Sequence, residues 1–74
     1  MCAAICYFNL AKCEEKMQEY KKAMLNYKKC LVIDSNHFGA CLNLAKLLAN
    51  LNEHQRAIKY FNHAIKIDAD SIAA

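Results

Sequence analysis

Apolar residues recur along this chain at three-, four- and seven-residue intervals, the spacing that keeps one side of an α-helix apolar. Four such stripes follow one another. The first runs through Tyr7, Leu10, Ala11 and Met17, and the second through Tyr20, Ala23, Met24, Tyr27, Cys30 and Leu31. The third takes Cys41, Leu44, Ala45, Leu48 and Leu51, and the fourth Ala57, Ile58, Phe61, Ala64 and Ile65. Polar joints interrupt them at 15–19 and around Asn52-Glu53. The pattern predicts helices over 5–17, 20–33, 38–51 and 54–67, antiparallel to their neighbours, with no strand. Hydrophobic residues make up 57% of the chain, Pro is absent and Gly occurs once, so the turn residues of a small β-protein are missing. The fold class this predicts is all-α.

The four stripes are two copies of one unit. Setting residue i against residue i+34 superimposes Asn9-Leu10-Ala11-Lys12 on Asn43-Leu44-Ala45-Lys46, four identities in a row. Glu19 falls on Glu53, Ala23 on Ala57, and Ile33-Asp34 on Ile67-Asp68. Conservative matches fill the remaining core spacings: Met17 with Leu51, Met24 with Ile58, Tyr27 with Phe61, Leu31 with Ile65. The small residues Ala11, Ala23, Cys30, Ala45, Ala57 and Ala64 recur where closely approaching helices leave no room for a longer side chain. Asp34-Ser35-Asn36 and Asp68-Ala69-Asp70-Ser71 are expected to end each helix pair and offer N-caps to the next.

At these positions the chain resembles the tetratricopeptide family, whose pattern is W-x₂-L-G-x₂-Y, then A-x₃-F, then P. Tyr7-x₂-Leu10-Ala11 and Cys41-x₂-Leu44-Ala45 look like its opening, and Ala23-x₃-Tyr27 and Ala57-x₃-Phe61 like its middle. Three departures stand out. Glu14 replaces an apolar residue, Ser35 and Ala69 replace the closing Pro, and Gln18 and Asn52 replace a common Gly in the joint. The resemblance implies two helix–turn–helix repeats, 4–37 and 38–71, stacked as a short right-handed α-solenoid fragment. Residues 72–74 align with Phe38-Gly39-Ala40, so they are expected to open a third repeat and the chain to be a piece of a longer array. Without further repeats, Ile58, Phe61, Ile65 and Ile67 would stay wet, and self-association of the isolated chain is expected.

The resemblance also implies a function. The first helix of each repeat lines a concave groove that receives an extended protein or peptide segment. By position the groove carries Ile5, Phe8, Asn9, Lys12 and Lys16 from the first repeat, and Gly39, Leu42, Asn43, Lys46 and Asn50 from the second. Asn9–Lys12 and Asn43–Lys46 are i, i+3 pairs, each on one face. An Asn amide can both donate to and accept from a peptide backbone, while Lys attracts carboxylates. The exact recurrence of this pair looks like an asparagine ladder, similar to that of O-GlcNAc transferase's repeat domain. The alternative is that these are polar residues on a solvated face. A clamp for chaperone C-termini fits poorly, because Phe8 and Lys12 occupy the places of its first Lys and first Asn.

Composition narrows the partners. The net charge of +3 is mild, and Lys and Glu are interspersed without a basic–aromatic cluster, which argues against nucleic acid and leaves some preference for acidic partners. No apolar run approaches the ~20 residues that cross a bilayer, so no membrane partner is expected. The stretch Met1 to Ala11 lacks the basic start of a signal peptide. Cys2, Cys6, Cys13, Cys30 and Cys41 are odd in number and show no C-x-x-C spacing, which favours small buried thiols in a reducing, cytoplasmic setting over disulfides or zinc. His37, His54 and His63 are scattered, each at a repeat position where another residue type also serves. No nucleophile–base pair or ligand cluster is apparent, so neither an enzyme nor a cofactor is expected.

Overall fold

Four helices follow one another: α1 (Ala3–Lys16), α2 (Tyr20–Ile33), α3 (Phe38–Asn50) and α4 (His54–Ala73). The structure, a computed structural model, describes residues 3–73 and the side chains of residues 3–68. Cys2 and Ala74 therefore lie outside the described residues. α1 packs on α2, α3 on α4, and α2 on α3, so the two inner helices are covered from both sides. No strand occurs among the described residues.

The two hairpin turns are built alike. Gln18 and Asn52 adopt φ values of 63° and 65°, the left-handed conformation that Gly supplies most cheaply. Each turn closes with the same pair of backbone bonds. Glu19 N–H donates to the Glu14 carbonyl at 2.8 Å and Gln18 N–H to that of Glu15 at 3.0 Å. In the second turn Glu53 N–H reaches Leu48 at 2.9 Å and Asn52 N–H reaches Ala49 at 3.1 Å. The six-to-one and five-to-two bonding pattern satisfies carbonyls that the helix end would leave open. The expected Gly is thus replaced in residue type but not in conformation. Surface pairs Glu19–Lys22 at 3.5 Å and Glu53–Arg56 at 3.6 Å repeat as well, each worth at most ~0.5 kcal/mol at such exposure.

The joint between the repeats departs from expectation. The residue that caps α3 is His37, whose Nδ1 accepts from the Ala40 N–H at 3.0 Å. Asp34 instead closes the preceding turn, its Oδ1 accepting from Asn36 N–H at 3.2 Å. Its backbone is extended, at φ −134° and ψ 91°. The equivalent stretch 68–71 does not turn at all: α4 continues to Ala73, past the end expected at 67 and through 72–73, where a third repeat was expected to open. The first joint has a His N-cap and an α3 that packs on α2. At 68–71 there is neither Gly nor Pro to halt the helix.

The core joins the two hairpins. Ala4, Ala11, Ala23, Tyr27, Cys30, Ala40, Leu44, Leu47 and Leu48 are fully buried, with Ala57 nearly so. Among these the recurrent alanines lie where the helices approach closely, as their repetition implied. Cys41 is also fully buried; burial, the neighbouring Cys30 thiol and the Asp34 charge together push its thiol above the ordinary range. Cys6 and Cys13, expected to be buried, are exposed on α1, and not every stripe residue is inside. Leu10, Met17, Ile58 and Ile65 are roughly half exposed or more, because only α2 and α3 have a helix on each side.

Candidate functional site

Lys12 and Lys16 stand one turn apart on α1, so their ammonium groups share a face. Between them in sequence, Glu15 turns toward α2, where the Tyr27 hydroxyl donates to its Oε1 at 2.8 Å. Tyr27 is fully buried, and burial followed by the Glu15 hydrogen bond and charge raises its phenol well above the ordinary range. Tyr27 thereby ties α2 to α1.

Lys12, Glu15, Lys16 and Asn43 line a concavity of about 330 Å³ between the first helices of the two hairpins. Two cations face one carboxylate, and that carboxylate already accepts from a phenol. The Lys12 ammonium also lies 5.3 Å from the Phe8 ring centroid, which limits the positions it samples. The unspent capacity is therefore cationic, with one amide donor and acceptor beside it. Such a surface can hold a carboxylate against Lys12 and Lys16 while the Asn43 amide meets a peptide group. A larger concavity, about 520 Å³, is lined only by the consecutive residues 52–56 and gathers nothing from elsewhere in the fold.

Of the residues expected in the groove, Lys12, Lys16 and Asn43 come together in this way. Asn9, Lys46 and Asn50 are exposed, and Leu42 is half-buried, but none of them lines this concavity. Phe8 is half-buried in the joint between hairpins, its ring 4.7 Å from that of His37 and 6.0 Å from that of Tyr27. A Cβ on Gly39 would meet the Phe8 ring at 3.0 Å, so Gly39 is where α3 lets that ring approach. Among the described residues there is no group of three His, Cys, Asp or Glu that could hold a metal ion. No described helix is long and apolar enough to cross a membrane.

Residues 4–37 and 38–71 each match the family model of the tetratricopeptide repeat. The chain belongs to the tetratricopeptide repeat family. Repeats of this family generally mediate protein–protein interaction, and the family is typically a non-enzymatic scaffold. No curated protein matched the chain. Within this tetratricopeptide pair, sequence reasoning missed Glu15, His37 and Tyr27 as builders of the site. Glu15 reads as part of a polar joint, and its link to Tyr27 crosses twelve residues of no obvious pattern. His37 had a usable signal, its place immediately before the apolar stripe of α3.

Proposed function

We propose that this tetratricopeptide pair is a protein-interaction module whose concavity between α1 and α3 receives an extended, acidic segment of a partner protein. The supporting observation is the convergence of Lys12, Lys16 and Asn43 from two different repeats, around a Glu15 already engaged by Tyr27. A carboxylate side chain of the partner pairs with the lysines, and the Asn43 amide meets the partner's backbone. Lys46, Asn9 and Asn50 extend the same polar character along the first helices without belonging to the central contact. The thiols of Cys6, Cys13 and Cys41, none of them in a disulfide, suit a reducing, cytoplasmic setting for such a module.

The test is a titration with an acetylated, amidated peptide of alternating Glu and Ala, against its Gln counterpart. The Glu peptide binds, and the Lys12→Ala, Lys16→Ala double variant binds about tenfold or more weakly, since each charge-assisted contact is worth ~1 kcal/mol or more. Lys46→Ala changes affinity much less. Equal binding of the Glu and Gln peptides, or equal losses in both variants, would refute this assignment.

A further inference from the structure

The outward face of α2 repeats itself every seven residues. Lys21-Lys22-x-x-Leu25 is followed by Lys28-Lys29-x-x-Val32, two heptads of the same composition. All six side chains are exposed, Leu25 at 54% and Val32 at 84%. The intervening Ala23 and Cys30 are fully buried on the other side of the helix. Seven residues make about two turns, so Leu25 and Val32 lie on one line along the helix, about 10 Å apart. Each Lys stands three or four residues from an apolar one, which frames the line with cations on both flanks. α2 has α1 packed on it as well as α3, so this face lies in the middle of the stack and not at an end of it.

Single exposed apolar residues are ordinary, and neither Leu25 nor Val32 alone would carry meaning. The second hairpin supplies the comparison. On α4 the equivalents of Leu25 and Val32 are Lys59 and Lys66, and the flanks carry Gln55, Arg56, Asn62 and His63. The same outward face is polar throughout there, so the apolar line with its lysine frame belongs to α2 and not to the repeat plan. Lys22 meets Glu19 at 3.5 Å, in an exposed pair that a partner's carboxylate replaces at little cost.

We infer that this face of α2 docks an acidic amphipathic helix of a partner protein. The partner helix lies along α2, with apolar residues at seven-residue intervals on the Leu25–Val32 line and Asp or Glu against the flanking lysines. A heptad stripe is how one helix recognises another along its length, with flanking charges choosing the partner. A fluid bilayer imposes no register along a helix, so the exact recurrence fits a helix and not a lipid surface. A second copy of this chain fits poorly: α2 against α2 opposes lysines, and the outward face of α4 carries Arg56, Lys59 and Lys66. This face shares no residue with the concavity of Lys12, Glu15, Lys16 and Asn43, so the two contacts are independent.

The probe is an acetylated, amidated peptide of three Glu-Glu-Ala-Ala-Leu-Ala-Ala heptads, the charge-reversed image of α2, titrated calorimetrically into the full chain. It binds about tenfold or more tightly than a peptide of the same composition with its leucines off the heptad, and than the Gln-for-Glu peptide. The deciding variant is Leu25→Lys, Val32→Lys, which copies the residues of α4. Both sites are exposed, so helicity by circular dichroism stays unchanged. Attraction by charge alone would strengthen with two more lysines, whereas docking on the apolar line weakens about tenfold or more. Lys21→Gln, Lys28→Gln, which strips one flank of charge, weakens it as well. Equal affinity for the ordered and off-heptad peptides, undiminished binding by the Leu25→Lys, Val32→Lys variant, or binding of phosphatidylserine vesicles in place of the peptide would each overturn the inference.

Discussion

The two hairpins share a backbone plan and differ in how α1 and α2, or α3 and α4, hold each other. In the first, polar pairs cross the interface: buried Asn26 donates from Nδ2 to Glu14, and Tyr27 donates to Glu15. In the second, the equivalent positions carry Leu48 with Tyr60 and Ala49 with Phe61, and the fully buried Leu48 needs no partner. The first hairpin thereby places a carboxylate and two lysines at the edge facing α3, while the second presents none there. Hydrogen bonds contribute only ~1 kcal/mol net, but an orphaned buried amide costs more. The polar hairpin is the more specific of the two, and the apolar one the more forgiving.

Four substitutions or titrations would break or sharpen that contrast. The largest effect belongs to Leu44→Ala, which opens a cavity between the hairpins and costs ~2–5 kcal/mol, whereas Leu10→Ala at the equivalent outer position costs under ~1 kcal/mol in dilute solution. Urea unfolding followed by helicity measures both, and equal losses would mean that the outer stripe is already covered. Next, Glu14→Leu leaves the Asn26 amide without its acceptor and destabilises by ~1–3 kcal/mol. Adding Asn26→Tyr, to copy the Leu48–Tyr60 arrangement, should recover the loss; a double variant no better than the single would show that the two hairpins are not interchangeable. Third, the raised Tyr27 phenol makes stability depend on alkali. Below the ordinary value near 10 its contribution is complete. Above it the unfolded chain loses the proton first, so stability falls by up to ~1.4 kcal/mol per pH unit until the folded state also ionises. Tyr27→Phe should flatten that decline in thermal melts between pH 9 and 11. Smallest is Gln18→Gly, which relieves a left-handed Gln and stabilises by ~1 kcal/mol; Asn52→Gly gains less because Asn tolerates that conformation better.

The fold was legible because it rests on periodicity. Leu44, Tyr27, Ala11 and Ala23 recur at spacings that only a helix pair can bury together, and the same spacings recur after thirty-four residues. What was not legible depends on neighbours rather than on pattern. Leu10 and Leu44 are identical in sequence context, yet one is wet and the other buried, because only the second has a helix packed over it. The end of α4 was misplaced for a related reason, since Asp68 repeats Asp34 without the joint that makes Asp34 turn. Lys12, Lys16 and Asn43 were expected through the family pattern to share one face, and they do line one concavity. Glu15 was not, because its orientation is set by a hydrogen bond to a residue on another helix. Phe8 read as a groove residue, while its surroundings make it a packing residue against His37 and Gly39.

The proposal that the concavity between the polar hairpin and Asn43 of α3 receives the partner is tested most directly by titrating the alternating Glu–Ala peptide into ¹⁵N-labelled protein. Chemical-shift changes are expected to centre on the amides of Lys12 and Lys16 and on the side-chain amide of Asn43, with Lys46 and Asn50 nearly still. Changes centred on Lys46, Asn50 or α4 instead, or no saturable change at all, would contradict it.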